Sequence, residues 1–158
     1  MRRLAMCILA AQLVASTAWG AVRPVDFFYR LRSGTLEQAT GDFSDGASAS
    51  WTEKDGTTPL MAATENQNQK VLYHVLVSGG LKTLNAQDEQ GQTALVRACG
   101  NKNVNPEVVR LLILAGAKLD IRDNRDRTAY SLAKMNPSIR KSDVYKMITD
   151  RLAGITPC

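Results

Sequence analysis

The residues that could support catalysis or metal binding are few and widely separated in this sequence. The single histidine, His74, lies in an apolar segment, and no Ser or Cys one helical turn away has a third partner behind it, as nucleophilic catalysis needs. The run from Asp120 to Asp126 holds three aspartates, but it lacks the central Gly and closing Glu of a helix-loop-helix calcium site. The sequence therefore predicts a protein that is not an enzyme and has no catalytic residues, metal or cofactor.

A turn, a threonine and a short apolar segment recur along the chain at intervals of 35 residues. The recurring positions are Thr58, Thr93 and Thr128, followed by Ala63, Ala98 and Ala133. Longer apolar segments at 70–80 and 107–117 come between them and end in Gly-containing pairs, which usually stop a helix. A third segment, at 143–154, has the same form. The unit is a helix pair that must stack on its neighbours, because no single unit can bury its apolar faces alone.

The motifs within this unit resemble those of the ankyrin repeat family. The segment Gly56–Leu60 reads GTTPL, the segment Leu112–Ala117 reads LILAGA, and Asp88 and Asp123 precede the next turns. The similarity covers about residues 52–152. It implies an all-α fold, an ankyrin-repeat solenoid of stacked helix pairs joined by hairpin loops.

The sequence departs from the family pattern in three places. Asp126 stands where the other turns have Gly56 and Gly91, so the third turn is expected to be strained or differently shaped. Residues 83–84 and residues 102–103 each lengthen a loop by two residues. Longer loops are where binding surfaces vary.

Residues 1–20 differ in composition from the remainder of the chain. Two arginines precede an apolar run and then small residues, which predicts a secretory signal peptide cleaved after Gly20. An uncleaved anchor is the alternative. We expect residues 21–54 to form a degenerate N-terminal capping helix pair and residues 55–158 to form three ankyrin-type repeats with a C-terminal capping helix. The protein is then expected to be periplasmic, with no stable membrane insertion after cleavage.

The charge of the chain is uneven. The net charge of +5 falls to +3 when the two arginines of residues 1–20 are removed, which is too mild to favour nucleic acid as a partner. Residues 118–158 contain nine Lys or Arg and five Asp. This basic part of the chain either steers an acidic partner or only keeps the surface solvated.

Two cysteines follow Gly20, and the sequence leaves their state open. Cys99 lies on a short helix where it should pack against a neighbouring repeat, which predicts a buried, inert thiol. A disulfide between Cys99 and Cys158 and a dimer linked through Cys158 are the alternatives. Trp51 either packs the first hairpin against the N-terminal cap or stays exposed as a binding aromatic.

The family resemblance implies a concave binding face, made by the hairpin tips and the exposed side of each repeat's first helix. Its residues are Lys54, Asp55, Thr57, Glu65 and Asn66 in the first repeat, Glu89, Gln90, Gln92 and Asn101 in the second, and Asn124, Arg125, Arg127 and Met135 in the third. This surface is polar and mixed in charge. A small solenoid offers a groove and not a closed pocket, so we expect a monomer that binds a protein partner.

Two functions fit an exported binding protein of this kind. The first is an inhibitory or protective binder that covers an enzyme or toxin acting in the cell envelope, as an immunity protein does. The second is an accessory or scaffold protein that stabilises a resident periplasmic enzyme. The fold by itself identifies neither the partner nor the role.

Overall fold

The computed structural model describes residues 22–154, and within this range the chain is helical with no strand. The helices in chain order are α1 (Pro24–Ser33), α2 (Leu36–Ser44), α3 (Pro59–Ala63), α4 (Gln69–Val77), a 3₁₀ helix (Gly80–Thr83), α5 (Ala94–Gly100), α6 (Pro106–Leu114), α7 (Ala129–Met135), α8 (Pro137–Arg140) and α9 (Asp143–Leu152). The predicted signal peptide and Cys158 lie outside the described residues. The all-α prediction is confirmed.

The helices stack in two rows. The inner row is α1, α3, α5 and α7, in which each helix packs against the next, and the outer row is α2, α4, α6 and α9. Hairpins at 45–58, 84–93 and 115–128 connect each outer helix to the following inner helix. The structure is therefore the predicted solenoid of helix pairs, with α1 and α2 preceding the three 35-residue units.

Side-chain caps start the short inner helices. The hydroxyl oxygens of Thr58, Thr93 and Thr128 accept hydrogen bonds from the backbone amides three residues later, at 3.3, 3.2 and 3.2 Å. Each cap satisfies one of the amides that a helix start leaves without a partner. Helices of five to seven residues are unstable alone, so these caps and the packing on both sides are what hold them.

Small residues allow the inner helices to approach each other closely. Ala63, Ala98 and Ala133, at equivalent positions of the three repeats, are completely buried. Larger apolar residues fill the space between the rows, and Leu60 and Leu95, 35 residues apart, are also completely buried. The same packing therefore repeats with the sequence period, which makes each repeat depend on its neighbours for stability.

An aromatic cluster closes the N-terminal end of the stack. The ring of Phe27 packs edge-to-face against Phe28, Phe43 and Trp51, with centroids 5.7, 5.2 and 5.6 Å away. Phe27 and Phe28 are completely buried, and Trp51 is half-buried. Of the two predictions for Trp51, the structure supports the one in which it packs against the cap.

The C-terminal end is closed by α9, whose Val144 and Ile148 are completely buried. Tyr145 is half-buried and stacks on Tyr130 of α7, with ring centroids 6.2 Å apart. The one-turn helix α8 was not predicted, although its start, Asn136-Pro137, has the same cap-and-proline form as Asn105-Pro106. None of the helices within residues 22–154 is long and apolar enough to cross a membrane.

The third hairpin turn has the same shape as the other two, although it contains Asp126 in place of glycine. Asp126 adopts a φ of 59°, close to the 78° of Gly56 and the 74° of Gly91. Its amide donates to the Asp123 carbonyl at 2.9 Å, as the Gly91 amide donates to Asp88 at 2.9 Å. Of the two expectations for this turn, a different shape is wrong, and local strain is supported by the positive φ of a residue that is not glycine. Asp126 instead takes the left-handed conformation, which short polar side chains tolerate better than most.

Candidate protein-binding face

The hairpins are joined to one another by hydrogen bonds. The Glu89 amide donates to the Asp55 carbonyl at 2.9 Å, and the Asn124 amide donates to the Gln90 carbonyl at 2.9 Å. The Asn124 side-chain amide also donates to the Glu89 carbonyl at 2.8 Å. Four of the predicted binding residues therefore fix the spacing of the hairpin tips through their backbones, and Asn124 does so with its side chain as well.

Two buried carboxylates hold the second and third hairpin turns. One oxygen of Asp88 accepts the amides of Gln90 and Gln92 at 2.9 and 2.8 Å, and the equivalent oxygen of Asp123 accepts those of Arg125 and Arg127 at 2.9 Å each. Both carboxylates have only 1% of their side-chain surface exposed. The predicted binding residues on these turns are thus held in place by buried acids.

Arginines from the inner face neutralise these acids. Arg97 Nη2 donates to Asp88 Oδ2 at 2.7 Å and to Thr57 Oγ1 at 3.1 Å, so it links two repeats. Its other terminal nitrogen lies 3.5 Å from Glu65 Oε1. Arg32 of α1 pairs with Glu53 and lies 3.7 Å from Glu65. Ion pairs therefore run along the inner face from the N-terminal cap to the second repeat.

Arg127 neutralises Asp123 within a single hairpin, with Nε donating to Oδ2 at 2.8 Å. Burial by itself raises the pKa of Asp123, but the hydrogen bonds from the Arg127 side chain and from the two turn amides outweigh burial. The net result is an Asp123 pKa below the ordinary aspartate value. Arg127 therefore stabilises the third hairpin by pairing with Asp123, although a third of its side chain is exposed.

Thr57 and Asn66 are not available to a partner, and their assignment to the binding surface is corrected here. Thr57 is completely buried and accepts the hydrogen bond from Arg97. Asn66 is 6% exposed, and its side-chain amide donates to the Leu31 and Gly34 carbonyls at 3.0 Å each. Both side chains connect one repeat to another, which is why they point inward.

A sequence signal for the role of Asn66 was present in the 35-residue period. Asn66, Asn101 and Asn136 occupy the same position in three repeats. Asn136 is buried and donates to the Cys99 and Asn101 carbonyls of the preceding repeat at 3.0 and 2.8 Å, and Asn66, two repeats earlier, likewise donates to carbonyls of the N-terminal cap. Such an asparagine at every repeat indicates a structural contact more than a partner-specific one. Asn101 itself is half-buried and its oxygen accepts the Asn103 amide at 3.0 Å.

The remaining predicted residues do reach the surface. Those that are exposed are Lys54, Asp55, Glu65, Glu89, Gln90, Asn124, Arg125 and Met135, and those that are half-buried are Gln92, Asn101 and Arg127. Asp55 accepts the Thr57 amide at 3.0 Å, and this hydrogen bond lowers the pKa of the Asp55 carboxyl. These side chains stay candidates for partner contact.

An open groove of about 570 Å³ lies across the inner side of the second repeat. We call it the central groove, and its lining residues are Glu65, Gln67, Gln92, Arg97, Gly100, Asn101, Asn103, Arg127 and Leu132. Glu65, Gln92, Asn101 and Arg127 were predicted from the sequence. Gly100 was not, although Glu65, Gly100 and Met135 hold the same exposed position in consecutive repeats.

The side chains with possible chemical reactivity lie away from the central groove. His74 is half-buried, with Nε2 3.4 Å from Ser78 Oγ and its ring packed on Phe43. Cys99 is completely buried as a free thiol, and burial raises its pKa to about 12. No group of three His, Cys, Asp or Glu is placed to hold a metal ion within residues 22–154.

Comparison with known proteins matches the stacked helix pairs to a single family. The family pattern described as ankyrin repeats (three copies) matches residues 32–140, which is more than half of the chain. BRCA1-associated RING domain protein 1 of Caenorhabditis elegans is 32% identical over 89 residues. That alignment covers 56% of this chain and 12% of the relative, so the chain spans a small part of the relative's length.

Proposed function

The chain belongs to the ankyrin-repeat family, and from this membership we propose that it is an exported binding protein that covers a protein acting in the cell envelope, as an immunity protein does. An array of ankyrin repeats is a protein–protein interaction module. The finer parts of the proposal are export, the envelope target and the protective role. Each of these finer parts is supported by a separate feature of the chain.

The observation that carries the proposal is a central groove whose turns and arginines are held in place by hydrogen bonds and ion pairs within the protein. Buried Asp88 and Asp123 fix the turns, and Arg97 connects the second repeat to the first. A surface that is ordered before binding loses little conformational entropy on binding, so more of the contact energy contributes to affinity. A protein that must occlude a target at low concentration needs this property.

Export is supported by the composition of residues 1–20, which has the charged, apolar and small-residue regions of a signal peptide. A target in the envelope follows from export, because the two proteins have to share a compartment. The open central groove supports a role in which the protein covers its target by direct contact.

The charge of the concave face supports an acidic contact surface on the target. Arg125 in the third hairpin and Lys102 in the loop between α5 and α6 are both exposed, and neither has an ion-pair partner within residues 22–154. In the first two hairpins, the exposed side chains Lys54, Asp55 and Glu89 carry a net charge of −1, so this part of the face is not positive. Complementary charge steers association and raises its rate most at low salt.

The test is capture of the target by the tagged full chain from the envelope fraction, with Arg125→Glu as the probe variant. Arg125 is the appropriate residue, since reversal of Arg127 would also unpair buried Asp123. We expect Arg125→Glu to lower capture about tenfold, whereas Lys146→Glu, an equal reversal on α9, leaves it unchanged.

The role is then tested in a strain that lacks the protein. Growth arrest that disappears when the captured protein is also deleted supports protection against that protein. If the strain instead loses the activity of a resident enzyme, the protein is an accessory factor. If the full chain stays in the cytosol with residues 1–20 attached, the export part of the proposal is wrong.

A further inference from the structure

We propose that the C-terminal end of the stack docks reversibly on an anionic lipid surface, with the stack standing upright on that surface. This inference goes beyond the proposed function, because it concerns the end of the solenoid and not the central groove. We call this surface the C-terminal end face, and its residues are Tyr130, Lys134, Arg140, Lys141, Tyr145 and Leu152. Three features support the inference: unpaired positive charge, side chains suited to a lipid–water interface, and the charge polarity of the stack.

The C-terminal end face is built by α7, α8 and α9, which pack on one another as the last layer of the stack. Tyr130 and Lys134 are one turn apart on α7, and the Tyr130 ring stacks on Tyr145 of α9. Tyr145 and Leu152, seven residues apart, lie on the same side of α9. The pKa of Tyr145 is raised, chiefly by the Tyr130 hydroxyl, and the positive charge of Arg140 opposes this rise. Arg140 therefore lies within electrostatic reach of the tyrosine pair.

The positive charge of this face is not cancelled within the protein. Residues 129–154 contain five Lys or Arg and two Asp. Asp143 is neutralised by Arg110 of α6 at 2.5 Å, and Asp150 lies one turn from Lys146 on α9, where opposite charges offset each other. Three exposed cations have no ion-pair or hydrogen-bond partner within residues 22–154. They are Lys134, Arg140 and Lys141.

The opposite end of the stack has a net negative charge. Residues 22–66 contain four Lys or Arg and seven Asp or Glu. Three helix-to-helix steps of about 8–10 Å separate α1 from α7, whereas charges are screened beyond about 10 Å at 0.1 M salt. An anionic surface therefore attracts the C-terminal end when the stack stands upright, and it repels the acidic end when the stack lies flat.

The uncharged residues of the end face suit the boundary between lipid and water. Tyr130 and Tyr145 are half-buried, and Leu152 is 48% exposed. Tyrosine is enriched at membrane interfaces because its ring is apolar and its hydroxyl is polar. An exposed leucine among basic residues adds apolar area that enters the headgroup region. A cap that only kept the stack soluble would need a polar outer face without these groups.

A lipid surface fits this arrangement better than an acidic protein does. Protein partners are held mainly by a few well-packed anchors in desolvated pockets. The cations here are at the ends of long, exposed side chains that come from two different elements. Anionic headgroups move within the bilayer and gather around such side chains, so they need no fixed match of positions.

The experiment measures binding of the chain, expressed in full and purified from its native host, by co-sedimentation with vesicles. One set of vesicles contains phosphatidylglycerol and phosphatidylcholine in equal parts, and the other contains phosphatidylcholine alone. The probe variant replaces the three cations together: Lys134→Gln, Arg140→Gln and Lys141→Gln. The matched control removes the same charge from exposed lysines elsewhere: Lys70→Gln, Lys82→Gln and Lys102→Gln. Circular dichroism checks that both variants fold.

Wild type and the control should bind the anionic vesicles and not the neutral ones, most tightly at low salt. Each basic residue close to such a surface contributes about fivefold to binding, so the probe variant should bind roughly a hundredfold more weakly. The control should lose less than about threefold, because its lysines lie farther from the surface than the screening length.

A fluorescence measurement tests the orientation. Tyr145→Trp places a tryptophan on the C-terminal end face, whereas Trp51 lies in the aromatic cluster at the opposite end. Lipid with a quencher on its headgroup should therefore quench Tyr145→Trp more strongly than wild type. Equal quenching of the two proteins would overturn the upright orientation.

The docking inference is overturned by absence of binding to the anionic vesicles, by equal binding to both kinds of vesicle, or by equal binding of the probe variant and wild type. Self-association that the probe variant abolishes would assign the end face to a second copy instead. Capture of an acidic protein through these three cations, without vesicle binding, would assign it to a protein. The probe variant leaves the central groove and Arg125 unchanged, so capture of the envelope target tests the proposed function separately.

Discussion

Individual charged side chains on the inner face divide into those that hold the structure and those that are free to bind. Arg97 and Arg125 look equivalent in the sequence, since both are arginines in or near a repeat's first helix. In the structure Arg97 is paired with buried Asp88, and Arg125 is exposed without an ion pair within residues 22–154. Substitutions at the two residues should therefore affect different measurements.

Replacement of Arg97 by methionine should destabilise the protein by about 3 kcal/mol, because it leaves the Asp88 carboxylate buried without its counter-charge. The free energy of unfolding from urea titration measures this loss. As a control, Arg23→Met removes a solvent-exposed arginine paired with Asp26 and should change stability little. Equal losses for the two variants would contradict a structural role for the Arg97–Asp88 pair.

The pH dependence of stability should reflect Asp123. Its folded pKa is lowered, so the stabilisation is complete above the ordinary value of 3.8 and is lost as pH falls below that value towards the folded pKa. Asp123→Asn should therefore flatten the decline in the urea midpoint below about pH 4. Asp120→Asn removes one negative charge from an exposed position and controls for net charge. An unchanged acid decline in Asp123→Asn would contradict this prediction.

At the scale of single elements, a glycine in a hairpin turn is harder to replace than a glycine inside a helix. Gly91 has a φ of +74°, and an added Cβ would lie 2.9 Å from the Asn124 backbone nitrogen of the next hairpin. Gly41 lies inside α2, where an added Cβ meets nothing within 4 Å. The two glycines therefore differ in both the conformation and the space that they need.

Alanine at these two positions should shift stability in opposite directions. Gly91→Ala should destabilise by more than about 1 kcal/mol, since it combines a left-handed conformation with backbone overlap. Gly41→Ala should stabilise by about 0.5–1 kcal/mol, through the higher helix propensity of alanine. Thermal unfolding of both variants measures the difference. A stabilising Gly91→Ala would mean that the hairpins are not joined as described.

At the scale of the whole molecule, stability depends on the closed ends of the stack. Phe27 is completely buried and contacts three other aromatic rings at the N-terminal end. Phe27→Ala should cost about 3–5 kcal/mol, the usual range for loss of a core phenylalanine. Tyr29→Ala, on the same helix but 69% exposed, should cost less than about 0.5 kcal/mol.

The measurement for Phe27→Ala is urea unfolding followed by both circular dichroism and tryptophan fluorescence. Because repeats contact only their neighbours, weakening one end should lower the fluorescence midpoint, reported by Trp51, more than the helical signal. Coincident midpoints with a small loss of stability would show that the aromatic cluster does not hold the N-terminal end.

The sequence by itself determined the family, the stacked helix pairs and the starts of the three short inner helices. These follow from local rules: Thr58, Thr93 and Thr128 cap amides three residues away, and their 35-residue spacing fixes the repeated unit. Such contacts join residues close in the chain, so their pattern is visible without coordinates. The unchanged shape of the turn at Asp126 was not predicted, because the sequence did not show that its backbone hydrogen bond to Asp123 would form without glycine.

Only the tertiary structure decided which of the predicted polar residues are exposed. Thr57 and Asn66 looked like surface residues, yet they bond to Arg97 and to the Leu31 carbonyl in other repeats. The orientation of a polar side chain depends on which distant groups can satisfy its hydrogen bonds, and stacking of the repeats brings those groups together.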